Sequence, residues 1–310
     1  MNTRVKESGF TARPLVGAVL IVAATLAFTS KSIWIKLMYQ QSNDIDAISI
    51  MALRIGFALP IYLFIAIGLL VRIRPRAFSA ETVGQVLLLS FLGYYLASYL
   101  DISGLAFISA GLERMILYLY PTLVVLMLCR QEKRAVTKAE AMALLLSYAG
   151  ITLVFMDSFA MGSEHLVQGS LLVFASAVSF SIFTVKSVDT IRQIGSVRFT
   201  VSTMLAGSMM TLTHYGAIHG IEIPRYSAKV YLLALVLAIV ATVIPSFLMA
   251  EGIRHIGPGR SSILGSIGPV STIVLGLIVL SEPVSAVQIV GAITIIAGVI
   301  SLGRSKRKLF

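Results

Sequence analysis

Apolar runs of nearly constant length follow one another along the chain, each closed by a short polar or basic stretch. A helix needs about 20 apolar residues to cross ~30 Å of hydrocarbon. The pattern predicts ten such helices, near residues 15–38, 47–71, 83–104, 112–129, 138–156, 168–187, 196–218, 228–250, 260–280 and 285–303. The expected fold is therefore an all-α integral membrane protein. The first run follows Arg4, Lys6 and Arg13 as a signal peptide would, but it is too long and lacks a small-residue cleavage pattern, so it is read as a retained helix.

The second half of the pattern repeats the first. A shift of 148 residues places Ser98 on Ser246, Gly104 on Gly252, Gly111 on Gly259, Pro121 on Pro269 and Ala149-Gly150 on Ala297-Gly298, without a gap. Glycine and proline carry this match, because Leu, Ile, Val and Ala coincide by chance in any two spans. The predicted organisation is a cytoplasmic tail (1–13), a first repeat (14–157), a second repeat (166–303) and a basic tail (304–310). Five helices per copy is an odd number, so the second copy enters the membrane from the opposite side. Inverted repeats of this kind are a recurrent architecture of secondary transporters, with the substrate site near the midplane between the halves.

Composition agrees with a bilayer environment: 57% of residues are hydrophobic, 13% are charged and the mean hydropathy is +0.91. The net charge of +11 at first suggests nucleic acid, but the position of the basic residues excludes that partner. Arg72, Arg74, Arg76, Arg130, Lys133, Arg134, Lys138, Arg254 and the tail from Arg304 to Lys308 all fall on one side of the predicted membrane. This is the positive-inside bias, which places both termini in the cytoplasm of a multi-pass plasma (inner) membrane protein. Cys129 is the sole cysteine, so no intrachain disulfide forms, and the four histidines are too scattered for a metal site. No phosphate-binding loop and no cofactor motif is present.

Charges within the spans are the candidate chemistry. Lys31 and Arg54 each lie about seven residues from the outer end of their helix, hence at one level, ~10 Å deep. Each costs ~2.5–3.5 kcal/mol at a helix centre, so both must face protein or water. Glu113 and Arg114 are adjacent and thus about 100° apart on their helix, which predicts different partners, with Lys31 or Arg54 for Glu113. Lys31, Lys36, Arg54 and Arg114 against Glu113 leave a positive surplus suited to a carboxylate or another anion, with Lys36 snorkelling to the interface. Tyr95 with Tyr99 and Arg114 with Tyr118 share helix faces and are candidates to line a cavity for an amphipathic solute. Ser262 and Ser266 form a polar stripe with Pro269 on the ninth span. Pro121 and Pro269 occupy matching positions and are candidate hinges; each frees the carbonyl four residues earlier, at Leu117 and Gly265. Glu113, His214 and Glu251 are the candidates for ion coupling, with protons as the coupling ion.

The segment Ser281-Glu282-Pro283-Val284-Ser285, continued by Gln288, Gly291-Ala292 and Gly298-Val299, resembles the last-helix signature of the EamA-like family of the drug/metabolite transporter superfamily. A weaker copy is Glu132, Thr137 and Ala149-Gly150, and the likeness extends to Arg54, Gly111, Pro121, Gly259 and Pro269. It implies a ten-helix carrier, an exporter of a small metabolite, amino acid, organic anion or amphipathic drug, working as a monomer or homodimer in the lipid bilayer. The small four-helix relatives exchange protons through a Glu in their first helix, whereas the first span here has Lys31 and Lys36 and no carboxylate. The alternatives are a channel, for which the polar residues are too sparse to form a filter, and a membrane-embedded enzyme, for which no convergent acid/base or metal cluster is present.

Overall fold

In the computed structural model, residues 14–72, 79–160, 165–220, 225–265 and 267–305 are described, and their regular structure is all helical. The tail expected at 1–13 and most of that at 304–310 lie outside them. The first crossing, α1, is Pro14–Thr29 continued by Lys31–Gln41; α2 is Ala47–Arg72. The third, α3, consists of Ala80–Ser90, a wider π-helical turn Phe91–Leu96, and Ala97–Leu105. The fourth, α4, is broken into Ala110–Leu117 and Tyr120–Gln131, and α5 is Lys138–Ala160. In the second half α6 is Leu166–Ile194 and α7 is Ser196–His219; α8 starts with Ala228–Ala238 and the π-helical turn Ile239–Val243.

Ile244–Gly265 then carries the chain from α8 into α9, which ends with Gly268–Leu280, and α10 is Ala286–Ser305. The sequence predicted a loop between the eighth and ninth spans; the backbone stays helical through it. The path nevertheless reverses. Gly252 lies against Gly17 and Ile21 of α1, whereas Gly265 is beside Thr25 and Gly268 beside Thr29, further along the same helix. Among the described residues seven helices are long and apolar enough to cross a bilayer by length and composition; Gly268–Leu280 and Ala286–Gly298 are shorter apolar segments, and α7 completes the ten.

The 148-residue shift recurs in the backbone. Ser79 and Ser227 cap α3 and α8 with the same extended conformation, accepting hydrogen bonds from Thr82 N (3.2 Å) and Val230 N (3.5 Å). The π-helical turns begin at Phe91 and Ile239, the second parts of α4 and α9 at Tyr120 and Gly268, and α5 and α10 at Lys138 and Ala286. Before the last helix of each half, Lys133 and Ser281 both take positive φ, 50° and 54°.

Packing between the halves is reciprocal. The first helix of each half crosses the third helix of the other at paired glycines. A β-carbon on Gly104 would approach Gly169 O to 2.8 Å, and one on Gly252 would approach Gly17 O to 3.2 Å. Two exchanged contacts of the same kind are what a pseudo-two-fold axis produces. With five crossings per copy, the ten helices fit two inverted five-helix repeats. The last helices, α5 and α10, meet each other at Gly150 and Gly291, where a β-carbon on Gly291 would fall 2.3 Å from Val154. Such close backbone approach is how apolar helices associate where lipid removes the hydrophobic incentive.

Candidate functional site

A cavity of about 320 Å³ lies between the halves, at the low end of the ~300–1,000 Å³ common for small-molecule sites. Its walls fall where the helices depart from α geometry: Gly93 and Tyr94 from one π-helical turn, Ala241 and Thr242 from the other, and Leu117 and Tyr118 at the break in α4. Irregular turns free carbonyls that hydrocarbon cannot satisfy. Serines on α6 meet this need: Ser179 Oγ donates to Leu92 O (2.8 Å) and Ser176 Oγ to Ala97 O (2.7 Å). Thr242 Oγ1 donates to Leu237 O (3.0 Å) in the second turn.

Lys31, Arg54, Asp101 and Arg114 bring charge to the wall, from α1, α2, α3 and α4. Lys31 Nζ is paired with Asp101 Oδ2, and its distance to Glu113 Oε1 is 4.0 Å, an ion-pair contact beyond hydrogen-bond reach. Glu113 is fully buried behind the wall and accepts a hydrogen bond from Ser32 Oγ at 2.7 Å. The same hydroxyl accepts from Arg114 Nη2 at 2.9 Å. Arg54 is half-buried at the cavity with Asp101 and Tyr62 in its electrostatic range, but no hydrogen bond or ion pair joins it to a described residue.

Two expectations about these charges change. Glu113 and Arg114 do not take separate partners: they share Ser32, and Arg114 Nε stands 3.7 Å from Glu113 Oε2. Side chains about 100° apart on a helix are long enough to converge on a third group beside them. Asp101 was absent from the sequence-based charge count. Its inclusion leaves four cations to two carboxylates, and Lys36 does not line the cavity, so around it Lys31, Arg54 and Arg114 face Asp101 and Glu113 with a positive surplus of one. The signal was available, since Asp101 is an acid within the third span, the criterion that selected Lys31.

The remaining candidates divide. Tyr118 lines the cavity and its hydroxyl donates to Gly265 O, the carbonyl that Pro269 frees. Pro121 and Pro269 directly follow the breaks in α4 and α9, at the first turn of Tyr120–Gln131 and Gly268–Leu280. Tyr95 and Tyr99 do not line this cavity. They stack on each other with centroids 6.4 Å apart and turn toward His214 of α7, which Tyr95 Oη meets at 2.7 Å through Nδ1. Glu251 is 3.2 Å from His255 one helical turn away, apart from the Lys31 network. Ser266 lies outside the described residues, as does the side chain of Ser262. Among the described residues no group of three His, Cys, Asp or Glu side chains is arranged to hold a metal ion.

The model of the EamA-like transporter family matches residues 15–156 and again 167–304. The chain belongs to that family. Among its relatives, an uncharacterised transporter of Bacillus subtilis (strain 168), YcbK, is 28% identical over 295 residues, 93% of either chain. A second from the same organism, YetK, is 24% identical over 305 residues, 95% of this chain and 89% of its own. A solved structure described only as the crystal structure of a protein covers 94% of this chain and 98% of its own, with a TM-score of 0.63 at 17% identity. That likeness concerns the fold alone. Both EamA-like copies contribute to the cavity, through α1 to α4 and through α6 to α8. The protein is thus a multi-pass membrane protein of a transporter family.

Proposed function

We propose that this chain is a secondary transporter that carries a small polar or amphipathic solute bearing a carboxylate, by alternating access, outward across the plasma (inner) membrane with both termini cytoplasmic. The observation that carries this reading is Arg54: a cation inside the bundle, at the wall of the cavity between the halves, without a hydrogen bond or ion pair to any described residue. A charge held partly out of water inside a membrane bundle is costly until it finds a partner. An anionic group at the cavity relieves that cost, and a guanidinium presents a planar fork to a carboxylate. The aromatic walls from Tyr94, Tyr118, Tyr120 and Phe180 suit an apolar portion of the same solute, such as that of an amino acid or organic acid. The breaks in α4 and α9 at matching positions supply the hinges, and the outward direction rests on the family likeness.

The test is flux in vesicles reconstituted with the purified protein, screened with amino acids, organic acids and organic cations. Carboxylate solutes should be carried, and Arg54→Gln should lower their transport about 10- to 100-fold, the loss of ~1.5–3 kcal/mol of charged hydrogen bonding. Membrane insertion should be unimpaired. Transport of cations only, or undiminished carboxylate flux in Arg54→Gln, contradicts the assignment.

A further inference from the structure

The Lys31 network holds more acceptor oxygens than its donors fill. Asp101 Oδ1 and Glu113 Oε1 are both buried without a hydrogen-bond partner among the described residues. Both carboxylates converge on one ammonium, since Lys31 Nζ is paired with Asp101 Oδ2 and stands 4.0 Å from Glu113 Oε1. Two carboxylates can only accept, so contact between them is repulsive unless a proton lies between. We propose that Asp101 and Glu113 together form a binding site for one exchangeable proton, shared between their carboxyl groups.

The charged groups that face the pair are already cations. Lys31 and, toward Asp101, Tyr39 approach from α1, Arg54 from α2, and Arg114 from α4 itself. The other nearby acid, Glu282 in the turn before α10, is committed to Ala110 N at 3.1 and 3.2 Å, at the start of α4. A metal ion is disfavoured: it would enter beside Lys31 and Arg114 and find two free oxygens, where a hard cation such as Ca²⁺ takes about six to eight. A proton needs only one; the unfilled buried donor of the network, Arg114 Nε, stands 3.7 Å from Glu113 Oε2 and leaves Asp101 Oδ1 and Glu113 Oε1 unmet.

The location gives the proton a consequence. Asp101 lines the cavity and Lys31 links it to Glu113. With both acids ionised the five side chains carry one positive charge in excess; with the proton bound they carry two. A carboxylate at Arg54 and the proton therefore promote each other's binding, by the same factor in both directions. This link rests on the function proposed above; the proton site does not.

The wild-type protein in liposomes tests the site without a solute. Infrared difference spectra between roughly pH 5 and 9 report the carbonyl stretch of a protonated carboxylic acid. Trp34, the chain's single tryptophan, sits one turn from Lys31, with Nε1 donating to Ser30 Oγ at 3.0 Å, and its emission is an independent reporter. The expected result is a carboxylic-acid band that fades as the pH rises, with Trp34 emission following the same midpoint. The band should vanish in both Glu113→Gln and Asp101→Asn, and Lys31→Met should displace the midpoint by about one pH unit or more, which a packing role would not do. Replacing potassium by sodium should change nothing. No titration in the wild type, a band that survives either carboxamide variant, or a midpoint that follows sodium overturns the proposal. If the titration holds while no carboxylate solute moves its midpoint, the proton site stands and the solute assignment fails. If carboxylate flux is normal and the titration is absent, the reverse applies.

Discussion

The Lys31–Asp101 pair shows how single residues are held in this membrane interior. Each of the two would be costly alone, and together they satisfy most of one another's demand. Asp101→Ala should destabilise the protein by up to about 3 kcal/mol, because Lys31 would lose its closest partner and keep only Glu113 at 4.0 Å. The double variant Lys31→Met/Asp101→Leu should recover most of that loss, since apolar replacements of similar volume often match a buried ion pair. Denaturant unfolding of the purified protein measures both, and a double variant no more stable than Asp101→Ala would refute a paired role. At this scale the sequence was partly legible. Ionisable residues inside apolar spans marked Lys31, Arg54, Glu113 and Arg114, and the same rule extends to Asp101. Their partners were not legible, because pairing depends on how four separate helices rotate about their axes. Lipid and protein interior are both apolar, so hydrophobic periodicity does not reveal which face turns inward. Tyr95 and Tyr99 illustrate the consequence: they do share a face, but that face meets His214.

At the scale of elements, glycine and proline positions were the most readable feature. Pro269 indicated an unsatisfied carbonyl at Gly265, and the structure supplies its donor in Tyr118. Gly268 has room for no side chain there, since a β-carbon would lie 2.6 Å from Tyr118 Oη. The continuous helix from α8 into α9 was not readable, because Gly257, Pro258 and Gly259 punctuate the sequence as a loop would. The α5–α10 contact gives the sharpest test at this level. Gly291→Val would drive its side chain into Val154 and the Gly150 carbonyl, and should cost several kcal/mol or prevent folding. Gly56→Ala, at a position with nothing within 4 Å of an added β-carbon, should be tolerated. Yield and thermal stability of the two variants compare the predictions, and equal behaviour would contradict the packing argument.

For the whole molecule, two copies of a five-helix unit that cross reciprocally at Gly17/Gly252 and Gly104/Gly169 enclose a cavity neither could form alone. The central claim is that this cavity opens to one face of the membrane as it closes to the other. Distances between spin labels measure it directly, in a Cys129→Ser background. One pair, at Glu132 and Gly195, spans the halves on the face where the chain begins; a second, at Asp44 and Arg225, spans them on the opposite face, and all four positions are exposed. The account predicts two populations at each pair, with the longer distance at one face accompanying the shorter at the other, and a change in their ratio between acid and alkaline pH. Fixed distances at both faces, or both lengthening together as in an open channel, would contradict it.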